Sequence, residues 1–246
     1  NTELEKANEK LMSLSHEKDA FVAKVSHDLR QPLNAIFLQV EALKLSDLDD
    51  LQKEDVQRIH DHAARELNLV NDILEYQKII MGAESLTRDT INIAQMLEEL
   101  AEAYRPGAEA KGIGYVVAIE PEIGHIIADD RRIRQILGNL INNACKFTKE
   151  GTVKVTAKSL KVDDLPWVEF SVRDSGRGMS PQEQAKIFEP FVSNKKDNAG
   201  GSGLGLSICK ELTAQMGGRI GFVSELGKGT NFTVSLPREP DSEFYM

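Results

Sequence analysis

The sequence predicts an α+β multidomain protein in two unlike parts. An N-terminal coiled coil and helical hairpin would dimerise into a four-helix bundle, and an α/β sandwich with helices on one face of a mixed sheet would follow. Three observations carry that expectation. Apolar residues recur at three- and four-residue steps as far as Ile80, broken once by the acidic stretch Ser46–Asp50. After Gly82 the period shortens to two in several short stretches separated by glycine, proline and acidic turns. Strands and helices then mix without strict βαβ alternation, which favours helices segregated to one face.

Composition bounds the rest. The 246 residues leave room for one large or two modest cores. Hydrophobic content of 41% and charged content of 28% are ordinary for a globular chain. A formal net charge of −9 argues against a nucleic-acid partner, which needs a positive field. Cys145 and Cys209 share no CxxC spacing and are read as two small buried apolar residues in a reducing, cytoplasmic compartment. No window approaches the roughly 20 apolar residues of a membrane helix, so no membrane contact is expected from this segment. The opening NTELEKANEKLMSL lacks both a signal-peptide core and an initiator methionine. It reads as part of an excised piece, with a sensor domain upstream.

Leu4, Leu11, Leu14, Phe21 and Val25 follow steps of seven, three and four, the spacing of a coiled-coil seam, so residues 1–20 read as a signalling helix. Val22, Leu29, Leu33, Ile36, Val40 and Leu43 continue the stripe. A second helix begins near Gln52 and carries Val56, Ile59, Ala63, Leu67, Val70, Leu74 and Ile80. Residues 21–83 therefore form a hairpin whose apolar stripe one copy cannot bury, and a homodimer is expected. Residues 88–238 form the second domain and 239–246 a tail. Thr90–Ile93 reads as a strand, Ala94–Ala110 as a helix, Gly114–Ile119 as a strand, and Asp129–Thr148 as a helix with Asp129 or Asp130 near its N-cap. Thr152–Ser159 and Trp167–Arg173 alternate like strands. Pro181–Phe188 and Leu204–Met216 read as helices, and Arg219–Val223 and Thr230–Leu236 close the domain as strands.

The string SHDLRQPLNAI, Ser26 to Ile36, sets His27 beside Asp28 on a helix, with Pro32 beyond. Imidazole is partly neutral, hence nucleophilic, at cellular pH, and a carboxylate beside it suits an acceptor of a transferred group. Pro32 removes a backbone hydrogen bond close to His27 and leaves the helix able to bend. Three further motifs follow in order. Asn139 and Asn143 lie four apart on one helix face, with Lys146 three beyond. Amide oxygens suit Mg²⁺ and the lysine suits phosphate, although a polar helix face explains this motif alone equally well. Asp174-Ser-Gly176-Arg-Gly178 follows a strand, where a carboxylate can accept from an exocyclic amine such as that of adenine and the glycines let the backbone turn tightly. Gly200-Gly201-Ser-Gly203-Leu-Gly205 opens a helix, whose N-terminal amides favour anions.

Taken together, these strings closely resemble the sensor histidine kinases of two-component signalling. The resemblance runs from about Phe21 to Pro237, through an H box (SHDLRQPL), an N box (NLINNACKFT), a first glycine box (DSGRGM), an F box (Phe188–Phe191) and a second glycine box (GGSGLGLSI). It implies a HisKA-type dimerisation and phosphoacceptor domain followed by an HATPase catalytic domain of the Bergerat (GHKL) type. It also implies an ATP-dependent autokinase that uses Mg²⁺ and passes its phosphoryl group to an aspartate of a response-regulator receiver domain.

Residue by residue, the resemblance makes His27 the phosphoacceptor and Asp28 the group that holds its Nδ1 proton. Asn143 becomes the Mg²⁺ ligand with Asn139 close by, Lys146 a phosphate contact, and Asp174 the reader of the adenine amine beside Gly176 and Gly178. Gly201, Gly203 and Gly205 would approach the phosphates, with Ser193–Ser202 a lid in which Lys195 or Lys196 is a candidate phosphate contact, a solvated pair of charges being the alternative for these two. In one respect the sequence departs from the family. Members with phosphatase activity often carry Thr or Asn four residues after the histidine, where this chain has Gln31. Two rival readings, a clamp-like conformational ATPase and a degenerate dimeric scaffold, fit less of the sequence. The first leaves the His27 string unexplained, and the second leaves Asn143, Asp174 and the glycine clusters intact without a use.

Overall fold

The computed structural model describes residues 24–25, 28–81, 85–192 and 202–239. The chain divides into two compact units, Asn1–Ala83 with Ser193–Leu204, and Glu84–Val192 with Gly205–Met246. The expected coiled coil over residues 1–20, together with His27, Gly201, Lys195 and Lys196, lies outside the described residues.

In the first unit, helix α1 (residues 28–44) and helix α2 (Asp50–Ile80) form the hairpin. Asp49 starts α2 through a capping box: its carboxylate accepts the Gln52 amide at 2.8 Å, and the Gln52 side chain accepts the Asp49 amide at 3.0 Å. Asp50 in the first turn and Lys78 in the last suit the helix dipole. The two helices are joined by polar clasps as well as apolar packing. Arg30 reaches the Asn71 amide oxygen with Nη2 at 2.8 Å and Nε at 3.1 Å. The His60 ring packs on Phe37 at 4.8 Å, with Nε2 3.0 Å from Glu41. Val40, Val56, Ala63, Val70 and Ile79 are buried. Leu29, Ile36 and Leu43, spaced by seven, stay 49%, 43% and 45% exposed, so part of the apolar stripe has no cover within one copy.

The second unit begins with strand β1 (Asp89–Asn92) and helix α3 (Ile93–Glu109), which Asn92 caps. Strands β2 (Ile113–Ile119) and β3 (His125–Ala128) precede helix α4 (Asp130–Phe147). Asp129 caps α4 by accepting the Arg132 amide at 3.0 Å, which decides between the two aspartates. Then come β4 (Gly151–Val162), β5 (Leu165–Asp174), the one-turn α5 (Pro181–Gln184), α6 (Gly205–Gln215), β6 (Arg219–Glu225) and β7 (Gly229–Pro237). The five-stranded sheet has the order β2-β4-β5-β7-β6, and β1 pairs with β3 in a separate ribbon. Only the β2–β4 pairing in the five-stranded sheet is parallel, the others being antiparallel, so the sheet is mixed as expected.

One sheet face is buried through Val153, Val155, Val168, Phe170, Val172, Val234 and Leu236. Against it lie Met96 and Leu97 of α3, Ile133, Leu137, Leu140 and Ile141 of α4, and Ile208 and Leu212 of α6. That layer fixes the rotation of α4 and the ends of β5 and β7, which hold the site.

Three expectations need correction. The stretch Pro181–Phe188 is helical only over Pro181–Gln184 and then runs in turns, because the Ser180–Glu183 capping box supports a first turn that is not continued. Strand β3 was not expected: His125–Ala128 is too short to show alternation and is strand only through its pairing with β1. Cys209 is fully buried, but Cys145 is only half-buried, since it lies toward the rim of α4 rather than on its core stripe.

Candidate functional site

Helix α4 buries its apolar stripe on the sheet, which leaves Asn139, Asn143 and Lys146 half-buried on another face. Asn139 is partly committed to structure. Its Nδ2 lies 3.5 Å from the Gly205 carbonyl at the start of α6, and its side chain also hydrogen-bonds the Cys209 thiol. Asn143 has no hydrogen-bond partner among the described residues. Lys146 folds over the Phe147 ring at 5.2 Å. Arg177, which the sequence did not single out, lies 5.4 Å from the same ring, with Nη1 2.9 Å from Glu183.

Asp174 ends β5 and is only 7% exposed. Its Oδ1 accepts the Gly176 amide at 2.8 Å and the Thr230 amide at 3.3 Å. Burial pushes its pKa above the usual carboxylate value, and those two amides pull the other way. The carboxylate therefore enters a low-dielectric site with one oxygen already engaged, where a donor to the other oxygen would be strongly favoured.

The glycines here differ in why they are needed. A Cβ on Gly178, whose φ is +64°, would collide with the Glu225 carbonyl, so the loop lies directly on the β6–β7 turn. A Cβ on Gly176 would collide with the Phe147 carbonyl at the end of α4. At Gly205 the nearest atom would be Asn139 at 3.7 Å, an ordinary contact. Gly203 has φ +72°, a left-handed backbone suited to glycine.

Gly229, Thr230 and Ser224 were missed. Gly229 has φ +92°, and a Cβ there would run into the Asp174 carbonyl. Ser224 bonds the first glycine loop through the Met179 amide at 2.9 Å. The signal was available in Gly227-Lys-Gly229-Thr230, a glycine pair beside a strand like the one flagged after Asp174. Ser224 itself sits in an ordinary-looking strand and left no mark. Asp28 and Gln31 are exposed on α1.

Whether these residues suit a divalent cation can be judged from the donors. Among the described residues no group of three or more His, Cys, Asp or Glu side chains could hold a metal alone. The half-buried Asn143 amide, without a hydrogen-bond partner among the described residues, fits an ion held mostly by phosphate and water oxygens.

Residues 128–240 match the family of histidine kinase-, DNA gyrase B- and HSP90-like ATPases, and residues 17–82 match the His kinase A (phospho-acceptor) domain. The chain belongs to the sensor histidine kinases. It is 35% identical over 89% of its length to the autoinducer 2 sensor kinase/phosphatase LuxQ of Vibrio cholerae, covering 26% of that protein. It is 33% identical over 96% of its length to the aerobic respiration control sensor protein ArcB of Escherichia coli, covering 30%. This kinase chain thus spans less than a third of the length of these relatives. Among solved structures, full-length ShkA in complex with AMPPNP aligns over 90% of this chain and 46% of its own, at 36% identity and a TM-score of 0.77. The catalytic domain of the histidine kinase ThkA aligns over 62% of this chain and 97% of its own, at 28% identity and a TM-score of 0.55. Among the described residues of this histidine kinase, no helix is long and apolar enough to cross a membrane.

Proposed function

We propose that this chain is an ATP-dependent protein-histidine autokinase that phosphorylates His27 and passes the phosphoryl group to an aspartate of a response-regulator receiver domain. The observation that carries the reading is the Asp174 carboxylate, buried at a strand end and held by the Gly176 and Thr230 amides, with the Gly176 loop packed on the Phe147 carbonyl at the end of α4, the helix that carries Asn139 and Asn143. An acceptor of exocyclic amines next to neutral oxygen ligands suits adenine at one end and a metal-bound triphosphate at the other. Family membership supports ATP as the nucleotide, and the AMPPNP bound to the similar ShkA agrees with it.

In this mechanism the His27 Nε2 lone pair forms a bond to the γ-phosphorus of ATP. The bond from that phosphorus to the β–γ bridging oxygen breaks, and ADP leaves. Asp28 holds the proton on Nδ1, so that Nε2 presents its lone pair. Asn143, with Asn139 close by, would hold Mg²⁺, which when bound neutralises charge on the phosphate oxygens. Lys146 adds positive charge to the same phosphates, Asp174 accepts the adenine amine, and Gly201, Gly203 and Gly205 give the phosphates close access to backbone amides. The phosphoryl group then moves from His27 to a receiver carboxylate, breaking the P–N bond and forming a P–O bond.

The functional division follows the boundaries 1–20, 21–83, 88–238 and 239–246. Leu29, Ile36 and Leu43 support a homodimer through the hairpin, because a second copy would cover that exposed stripe. Gln31 takes the phosphatase position, where its amide can hold a water at longer reach than Thr or Asn.

The test is incubation with γ-labelled ATP and Mg²⁺. Wild type should gain an acid-labile, base-stable label. His27→Ala should gain none, and Asn143→Ala should label at least tenfold more slowly. Undiminished label on His27→Ala would overturn the reading, and ATP binding without any label on wild type would mark a scaffold.

A further inference from the structure

Arg177 joins the first glycine loop to three other segments of the second unit. Its carbonyl accepts the Gly227 amide at 2.6 Å, which ties the loop to the β6–β7 turn. Its Nη1 lies 2.9 Å from Glu183 Oε1, and Glu183 Oε2 accepts the Ser180 amide at 2.7 Å. The guanidinium is thus anchored to the head of α5. From that anchor it reaches the end of α4, its carbon 5.4 Å from the centroid of the Phe147 ring. Lys146 Nζ lies 5.2 Å from the centroid of the same ring. One aromatic ring therefore attracts two cations, and Glu183 offsets the charge of one of them.

We propose that Arg177 is a positioning residue for the Lys146 ammonium, acting through the Phe147 ring. The proposal rests on the reading of Lys146 as a phosphate contact. A lysine side chain has many rotamers, and freezing them when a ligand arrives costs affinity. The ring gathers the ammonium beforehand, and the anchored guanidinium fixes the ring. Glu183 makes the sharing possible, because it screens the repulsion between two like charges drawn to one ring. A triphosphate then meets an ammonium already in place. Without Arg177 the ring loses its clamp, and the lysine must be ordered by the ligand itself.

The probes are Mg²⁺-tripolyphosphate and adenosine, their affinities measured by calorimetry on the full chain. Arg177→Gln should weaken tripolyphosphate by about two- to fivefold, the scale of one cation–π contact, and leave adenosine unchanged. Lys146→Ala should also weaken tripolyphosphate, and in that background Arg177→Gln should add nothing. An Arg177 that touched the phosphates itself would give additive losses instead. Glu183→Gln supplies a test of opposite sign. Glutamine keeps the capping box with Ser180, so the turn survives, yet one negative charge leaves the site. A purely electrostatic role predicts tighter tripolyphosphate binding by this variant, whereas loss of the anchor predicts weaker binding, by about twofold. Glu183→Gln also carries the test if Arg177→Gln fails to fold. Additive losses in the cycle, tighter binding by Glu183→Gln, or an equal loss for both probes would overturn the role of Arg177. If Lys146→Ala leaves tripolyphosphate affinity intact, the phosphate reading of Lys146 itself fails, and this inference with it. If Lys146→Ala weakens tripolyphosphate and Arg177→Gln does not, only this inference fails.

Discussion

Thr230 donates its amide hydrogen to Oδ1 of Asp174, the oxygen that also takes the Gly176 amide from 54 residues earlier in the chain. One carboxylate oxygen thus joins the first glycine loop to the head of β7, and the conformation of that end of the site depends on it.

Asp174 is held at a cost in stability. Its folded pKa lies above the ordinary value because it is buried. A carboxyl shifted in that direction favours the folded state when protonated, so stability falls as pH rises from the unfolded pKa, about 3.9, up to the folded one, and then levels off. Asp174→Asn should therefore gain on wild type in urea midpoint as pH rises from about 4 towards neutrality, while its ATP affinity falls about a hundredfold. A stability difference between variant and wild type that does not change with pH would contradict this account.

The glycines should separate by geometry. Gly178→Ala drives a methyl into the Glu225 carbonyl at positive φ and should destabilise the second unit by about 2–4 kcal/mol, with ATP binding lost. Gly205→Ala meets Asn139 only at 3.7 Å and should leave stability within about 0.5 kcal/mol of wild type. Thermal unfolding of both variants checks the contrast, and equal effects would refute it.

In the hairpin, the Arg30–Asn71 clasp should appear as coupling in a double-mutant cycle. Arg30→Ala and Asn71→Ala should be non-additive by about 0.5–1.5 kcal/mol in denaturant unfolding at fixed protein concentration. Strict additivity would mean that the clasp contributes nothing in solution.

The two thiols should label in sequence. Burial pushes Cys209 up to about 12 and raises Cys145 as well, so neither is a ready thiolate at neutral pH. In native protein at pH 8, Cys145 should react slowly with a thiol reagent, and Cys209 only at the rate of unfolding. Prompt labelling of Cys209 would show that α6 opens locally.

Much of this molecule was legible because it is local. The Ser46–Asp50 break, the capping aspartates at the head of α4 and the alternation of β4 and β5 each lie within a few residues, and the helix period alone sets Asn139 and Asn143 on one face. The short His125–Ala128 strand was not legible, since its character comes from a partner more than thirty residues away. The length of the Pro181–Phe188 helix was misjudged because one capped turn looks like the start of a longer one.

Residue types and spacing by themselves determined the family, the order of its motifs, the mixed sheet with helices on one face, and Asp174 as a candidate contact. Only the tertiary structure decided that Thr230 and Gly229 share the Asp174 corner, that Asn139 is partly spent on Gly205, and that the Ser224 hydroxyl takes the Met179 amide of the first glycine loop. The reason is physical. A motif reports chemistry carried along one strand or helix, whereas the direction of a hydrogen bond depends on every donor and acceptor brought within 3 Å or so of it, and these come from segments that only the packed sheet brings together.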